Sequence, residues 1–178
     1  REHAMGGIVN GIALHSNLMP YGSTFLVFSD YMRPSIRLAS LMKTNSVFIF
    51  THDSIFLGED GPTHQPIEHL MSLRLIPGLE VIRPANNKEI LYAYRFAFEN
   101  KNNPTAIVLS RQDMKYLENN LQYEEFIKGA YEFSSGKDIT IFATGSELEI
   151  AKEVRNILAD LSIQIISVPI LDKLDNET

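Results

Sequence analysis

Short apolar runs alternate along the chain with longer stretches in which apolar residues recur at helical spacing. The first such runs predict four strands, at residues 24–28, 46–50, 79–82 and 105–109. Within each run apolar residues occupy successive positions, as in strands that are covered by helices on both faces. Strands that alternate with helices in this way predict βαβ units around a parallel sheet.

Helical periodicity predicts three helices around these strands, at residues 2–16, 29–42 and 88–99. Asn86 or Asn87 can cap the third helix. Its apolar face is a single stripe formed by Ile90, Leu91, Tyr94, Ala97 and Phe98. Pro34 lacks a backbone N–H, so we expect it to kink or restart the second helix.

A second βα pattern begins at Gly129, after a polar stretch. Ser146 and Glu149 have the spacing of a capping box and predict the start of a helix. The strands predicted around that helix lie at residues 130–133, 138–143 and 163–168.

This periodicity divides the chain into three parts. We predict an α/β domain over residues 1–117, a linker over 118–128 and the beginning of a second α/β domain over 129–178. We expect both ends to be cut. No cap residue precedes the first helix, and about 50 residues are too few to cover both faces of a second parallel sheet.

Composition and charge exclude several functional classes. Hydrophobic residues make up 44% and charged residues 21% of the chain, which is typical of globular proteins. The formal net charge is −6 and no basic run is present, which argues against a nucleic-acid partner. No run approaches the ~18 apolar residues of a membrane span. The absence of cysteine excludes disulfides and thiolate chemistry, and with no signal peptide a cytoplasmic protein is expected.

The densest chemistry lies at residues 51–65, directly after a predicted strand, where ligands gather in open α/β sheets. His52, Asp60 and His64 could converge on a metal ion, but their spacing matches neither HExxH nor an EF-hand loop. The alternative is a capped turn in which glycines adopt unusual dihedrals and Asp60 binds backbone N–H groups. Pro66 would then open a helix over residues 67–75.

Other candidates are weaker when taken singly. Phe25, Phe28 and Tyr31 are spaced three apart, which fits core packing as well as a ligand cage. Arg111 follows a predicted strand and could bind an anionic group or pair with a carboxylate. Glu2 by itself fits a frayed terminus.

Taken together, these segments resemble one family. In order and at the expected spacing, the chain is similar to the pyrimidine-binding domain of transketolases and the start of their C-terminal domain. The matching segments are REHAMGGIVNGIA, YGSTFLVFSDY, THDSIFLGEDGPTHQPIEHL, LEVIRPANNKE, LSRQ and ATGSELEIA.

The resemblance implies a thiamine diphosphate enzyme of the pentose phosphate pathway, which moves a two-carbon ketol unit from a ketose phosphate to an aldose phosphate. Glu2 matches the glutamate that hydrogen-bonds the aminopyrimidine ring, where a shared proton favours the imino tautomer needed for ylid formation. The aromatic pocket that stacks on this ring is matched by Phe25, Phe28 and Tyr31.

The same resemblance implies substrate contacts. His52 and Arg111 match residues that hold the substrate phosphate, and Asp60 matches one that accepts hydrogen bonds from a sugar hydroxyl. His64 matches a histidine near the reacting carbonyl that transfers a proton or stabilises an alkoxide. The other histidines, His3, His15 and His69, are assigned structural roles.

The sequence also departs from the family pattern. In this family a divalent metal, Mg²⁺ or Ca²⁺, is held by a GDG…N motif in a separate domain, and that motif is absent here. Half of the cofactor site is therefore missing, so we expect this chain to be inactive alone. The resemblance further implies a homodimer. The alternatives are dihydroxyacetone synthase, 1-deoxyxylulose 5-phosphate synthase, or a non-catalytic sugar-phosphate-binding module. The QPIEHL segment argues against the synthase of deoxyxylulose phosphate.

Overall fold

A parallel sheet of four strands forms the centre of the first part of the molecule. The computed structural model describes residues 1–117 and 119–173. The strands follow one another in the order β1-β2-β4-β3 and all pairs are parallel. Their bounds are Tyr21–Phe25 for β1, Val47–Thr51 for β2, Glu80–Ile82 for β3 and Thr105–Val108 for β4. The parallel α/β fold predicted from the sequence is confirmed.

Helices cover both faces of this sheet. Their bounds are Glu2–His15 for α1, Ser29–Met42 for α2, His69–Arg74 for α3 and Asn87–Glu99 for α4. On one face of β2, Phe48 and Phe50 pack in a core cluster with α1 and α2 residues; on the other, Val47 and Ile49 share a cluster with α4 residues. Both faces of the strand are therefore buried, which explains its continuous apolar run.

Three local predictions were wrong. Residues 26–28 form a 3₁₀ turn rather than the end of a strand. α2 does not restart at Pro34 but continues through it as one helix, since a single lost hydrogen bond does not outweigh the burial of one whole helix face. Pro66 does not open α3, which begins at His69.

A smaller sheet forms the second part, with the strand order β5-β7-β6. β6 pairs in parallel with β7, whereas β5 is antiparallel to it. The bounds are Tyr131–Ser134 for β5, Ile139–Ala143 for β6, Glu147–Ile157 for α6 and Ile163–Ser167 for β7. The predicted linker contains a short helix, α5, at Tyr123–Phe126, which is opened by a capping box of Gln122 and Glu125. Glu118 of that linker and residues 174–178 lie outside the described residues.

The helix start predicted at Ser146 is confirmed, but the capping box itself is not formed. Ser146 precedes α6, but its hydroxyl makes no cap hydrogen bond. It lies instead within hydrogen-bond distance of Glu147 Oε1 and of Arg83 Nη2, at 3.4 Å in each case. A contact with a residue distant in sequence has replaced the local one.

The two sheets are joined along β3. The backbone after β7 runs antiparallel to β3, with a bridge between Ile82 and Ile170. Arg83 N–H donates to Pro169 O at 2.8 Å, and Leu171 N–H donates to Val81 O at 2.9 Å. The β3 edge of the first sheet is thus covered by the second part of the chain. In the described part of the chain, every helix is too short or too polar to span a bilayer.

Candidate functional site

The candidate site lies at the carboxyl ends of β1 and β2. These neighbouring strands are parallel, and their last residues, Phe25 and Thr51, are partners in the register. The residues that follow each strand therefore meet at one edge of the sheet, where open α/β folds bind ligands.

An aromatic ladder, formed by Phe25, Phe28 and Tyr31, leads away from β1. The ring centroids of Phe25 and Phe28 lie 5.9 Å apart and those of Phe28 and Tyr31 lie 6.0 Å apart, each pair stacked. The 3₁₀ turn at residues 26–28, followed directly by α2, places every third residue on one side. Tyr31 is 64% exposed, so the outer end of the ladder is open to a planar ligand.

His52 packs on the inner end of this ladder. Its ring stacks on Phe25 at a centroid distance of 3.6 Å, and its Nδ1 lies 2.9 Å from Thr51 Oγ1. Its backbone φ is +59°, a left-handed conformation that non-glycine residues rarely adopt. Burial lowers the pKa of His52, and the positive charge of Arg111 lowers it further, while Asp60 and Asp53 act in the opposite direction.

His64 reaches the same ladder from the other end of the loop. Its ring meets Phe28 edge-on at 5.5 Å and Phe25 at 6.4 Å, and its Nδ1 lies 2.8 Å from Thr63 Oγ1. The loop turns back through Gly58 and Gly61, which have φ values of +86° and +78°. The unusual glycine dihedrals expected from the sequence are therefore present.

Asp60 and Arg111 are both exposed. The charge of Arg111 lowers the pKa of the His52 imidazole, and that of Asp60 raises it. Within the described part of the chain, Asp60 forms no hydrogen bond, so it does not anchor the turn as the sequence suggested. The turn is closed instead by backbone bonds, from Gly61 N–H to Gly58 O at 3.4 Å and from His64 N–H to Gly61 O at 3.1 Å.

Glu2 lies in the first turn of α1, with 19% of its side chain exposed. α1 is fixed against α2, the helix that carries Tyr31, because Asn10 Nδ2 donates to Ser35 O at 2.8 Å. Helix packing thus sets the position of Glu2 relative to the ladder.

Among residues 1–117 and 119–173, the side chains that lie close enough together to hold a metal ion are not His52, Asp60 and His64, the set considered from the sequence. They are those of Asp30, Glu68 and His69. His69 is buried, and its Nε2 lies 3.1 Å from Asp30 Oδ2, so this pair joins α3 to α2. Of the other histidines, His3 lies 3.3 Å from Ser35 Oγ through Nδ1, and His15 is exposed at the end of α1.

Sequence reasoning missed a buried ion pair behind His52. Asp53 follows His52 directly, and Arg83 approaches its Oδ2 through Nε and Nη2, at 2.8 Å each. Both side chains are almost fully buried. The available signal was an arginine placed immediately after the apolar strand β3, since a buried charge requires a partner.

The arrangement combines three chemical capacities. The ladder offers a stacking surface for a planar ring. Two imidazoles beside it are side chains that can accept and donate a proton. Arg111 together with His52 can hold an anionic group.

Similarity to known proteins extends over the whole chain. Residues 1–115 match the family model "Transketolase, pyrimidine binding domain". The chain is 51% identical to a transketolase of Aquifex aeolicus over 92% of its length, which is 24% of that protein. It thus spans about a quarter of the curated relatives that it matches.

Solved structures agree with this similarity. A transketolase of Pichia stipitis in complex with sedoheptulose-7-phosphate is 41% identical and superposes with a TM-score of 0.93, covering 99% of this chain and 27% of that one. A second solved structure is described as "Split gene transketolase, inactive beta4 tetramer". It is 26% identical to this chain with a TM-score of 0.85, and the match covers 99% of this chain and 57% of that one.

Proposed function

This chain belongs to the transketolase family, and we propose that it forms the pyrimidine-binding part of a site for thiamine diphosphate-dependent ketol transfer. In that reaction a two-carbon unit passes from a ketose phosphate to an aldose phosphate. The observation that carries the proposal is the placement of His52 and His64 against the ladder of Phe25, Phe28 and Tyr31. A planar cofactor ring and two proton-transfer groups would thereby share one edge of the sheet.

The residues present fit the aminopyrimidine ring of the cofactor. The ladder ends in an exposed Tyr31, which leaves aromatic surface for stacking. Glu2 is half-buried and can hold a proton shared with a ring nitrogen. When bound, thiamine diphosphate supplies a thiazolium carbon that becomes a carbon nucleophile. The diphosphate and its divalent metal ion, Mg²⁺ or Ca²⁺, are assigned to another domain by the family resemblance.

We assign substrate recognition to four polar side chains, those of His52, Asp60, His64 and Arg111. Arg111 and His52 hold the phosphate of the sugar, because a guanidinium fork and a neighbouring imidazole donate charge-assisted hydrogen bonds. Asp60 is exposed and accepts a hydrogen bond from a sugar hydroxyl. His64 exchanges a proton with the substrate oxygen at which negative charge develops.

We also propose that residues 1–117 are the pyrimidine-binding domain, joined by residues 118–128 to the start of a C-terminal domain at 129–178. The chain would act within a longer cytoplasmic enzyme of the pentose phosphate pathway and be inactive alone. A second subunit is the proposed partner of the apolar face between α1 and β1. Ile8, Leu18 and Tyr21 on this face are each more than 60% exposed.

Substitution of Glu2 in the complete enzyme tests the proposal. Glu2→Gln retains the shape of the side chain but cannot favour the imino tautomer, so kcat should fall far more than cofactor affinity. Glu124→Gln, at an exposed position in α5, is the matched control and should behave as wild type. Equal losses in kcat and cofactor affinity for Glu2→Gln would contradict the assigned role, and an inactive wild-type enzyme would contradict the proposed function.

A further inference from the structure

Behind His52, one guanidinium joins the two parts of the molecule. From the first part, Asp53 binds Arg83 through Oδ2. From the second part, Thr144 O accepts a hydrogen bond from Arg83 Nη1 at 2.9 Å, and the carboxylate of Glu147 accepts another from the same nitrogen. We define the loop of residues 144–147 as the docking loop.

The docking loop is shaped closely around this guanidinium. Gly145 has a φ of +56°, and a Cβ at this position would lie 2.7 Å from Arg83 Nε. The backbone of Arg83 is held as well: its carbonyl accepts from Gly145 N–H and from Thr144 Oγ1, each at 3.2 Å. Arg83 therefore cannot shift without disturbing the docking loop, and the reverse also holds.

His52 needs such a restraint. Its left-handed backbone is unfavourable for a residue with a side chain and persists only when the surroundings determine it. On one side the ring is held by Phe25 and Thr51. On the other side the next residue, Asp53, is fixed by Arg83, and its Oδ1 is buried without a partner in the described part of the chain. The carboxylate thus depends on Arg83 for its compensation.

We propose that Arg83 is a positioning residue through which the docking loop of the second part holds His52 in its site conformation. Arg83 itself does not touch the substrate in this proposal. It fixes Asp53, and Asp53 fixes the backbone of His52 against Phe25. The consequence for substrate binding rests on the proposed function, because His52 is assigned there to the sugar phosphate.

Nuclear magnetic resonance of the 178-residue chain tests the positioning without reference to activity. The His52 ring protons lie over Phe25 and should be shifted by its ring current. Arg83→Lys keeps the charge but loses the planar fork, and Gly145→Ala pushes on Arg83 from the second part. Both should move the His52 signals toward those of free histidine, while the signals of His15 and His69 stay in place.

Lys115→Gln is the matched control. Lys115 also pairs with carboxylates of α6, Glu149 and Glu153, but it lies on the surface and makes no contact with Asp53 or Arg83 in the described residues. It should leave His52 unchanged. If Gly145→Ala does not fold, Glu147→Gln provides a milder change at the same contact. Unmoved His52 signals in folded variants, or an equal shift in Lys115→Gln, would overturn the proposal.

Kinetics of the complete enzyme provide the second readout. Arg83→Lys should raise KM for phosphorylated ketose donors about tenfold, equivalent to about 1.4 kcal/mol, with little change for unphosphorylated donors. If the His52 signals move but the two KM values rise equally, positioning stands and the phosphate role of His52 fails. If the wild-type enzyme transfers no ketol unit, the proposed function fails while the resonance test still decides the role of Arg83.

Discussion

Replacing Gly6 with alanine tests how tightly α1 is packed on α2. Gly6 is buried in the middle of the contact between these helices. A Cβ built there lies 2.7 Å from Ser35 Cβ and 2.8 Å from Met32 Cγ. Carbon atoms in good contact are about 3.5–4.0 Å apart, so the helices must separate by about 1 Å. Met32 can change rotamer, but Ser35 Cβ is attached directly to the α2 backbone.

Two opposing effects set the size of the change. Alanine favours a helix over glycine by about 0.8–1.0 kcal/mol. Overpacking a close contact costs about 1–3 kcal/mol. Gly6→Ala should therefore lower the free energy of unfolding by about 0–2 kcal/mol. Gly7→Ala is the matched control, because nothing lies within 4 Å of a Cβ at that position. It should gain the helical preference alone, about 0.8–1.0 kcal/mol.

Urea unfolding of the chain, followed by far-ultraviolet circular dichroism, separates the two variants. With a slope of about 2 kcal/mol/M, a difference of about 2 kcal/mol places the midpoints about 1 M apart. Midpoints independent of protein concentration would exclude a contribution from self-association. If Gly6→Ala is as stable as Gly7→Ala, the close contact of α1 with α2 is wrong. The reasoning that fixes Glu2 by helix packing would then fail as well.

Three further outcomes are expected. Arg111→Ala should raise KM for phosphorylated sugars much more than for unphosphorylated ones, since a charge-assisted hydrogen bond contributes about 1.5–3 kcal/mol, and it should raise the pKa of His52 in a resonance titration. Burial raises the pKa of Glu89 despite bonds from Tyr131 and Ser167. The folded state thus binds the Glu89 proton more tightly than the unfolded state does. The free energy of unfolding of wild type, measured with urea, should therefore fall relative to that of Glu89→Gln as pH rises above about 4.3. Calorimetry of the chain alone should show weak or no binding of thiamine diphosphate, with or without magnesium, because stacking contributes only about 0.5–1.5 kcal/mol per aromatic pair.

The sheet was predictable because its strands are buried on both faces. A continuous apolar run such as that of β2 fits a strand buried on both faces, and its alternation with helical segments predicts a parallel sheet. The end of β1 was not predictable in the same way. Leu26, Val27 and Phe28 continue the apolar run, yet they form a 3₁₀ turn. Hydrophobicity does not distinguish a strand from a turn whose residues are also packed, as Leu26 is here.

Local motifs fail where a distant residue competes for the same atoms. Ser146 and Glu149 have the spacing of a capping box, but the Ser146 hydroxyl lies 3.4 Å from Arg83 Nη2, which is 63 residues earlier in the chain, and makes no cap hydrogen bond. The capping box that does form, at Gln122 and Glu125, lies in a stretch without clear periodicity. The pattern at Ser146 thus marks the start of α6 correctly, although its side chains bond to tertiary partners instead of capping the helix.

The same difference between local and distant contacts decides which parts of the candidate site could be predicted. The proximity of Phe25 and His52 follows from parallel strands whose ends meet at one edge, so strand order and sequence position suffice to predict it. The pairing of Asp53 with Arg83 requires knowledge of how two parts of the chain dock, and no spacing in the sequence encodes that. The type of a residue that contacts a ligand indicates its chemistry from the sequence. A residue that positions such a ligand-binding residue is recognised only from its contacts in the structure. For this reason Arg83, an unremarked arginine in the sequence, becomes in the structure the residue on which the conformation of His52 depends.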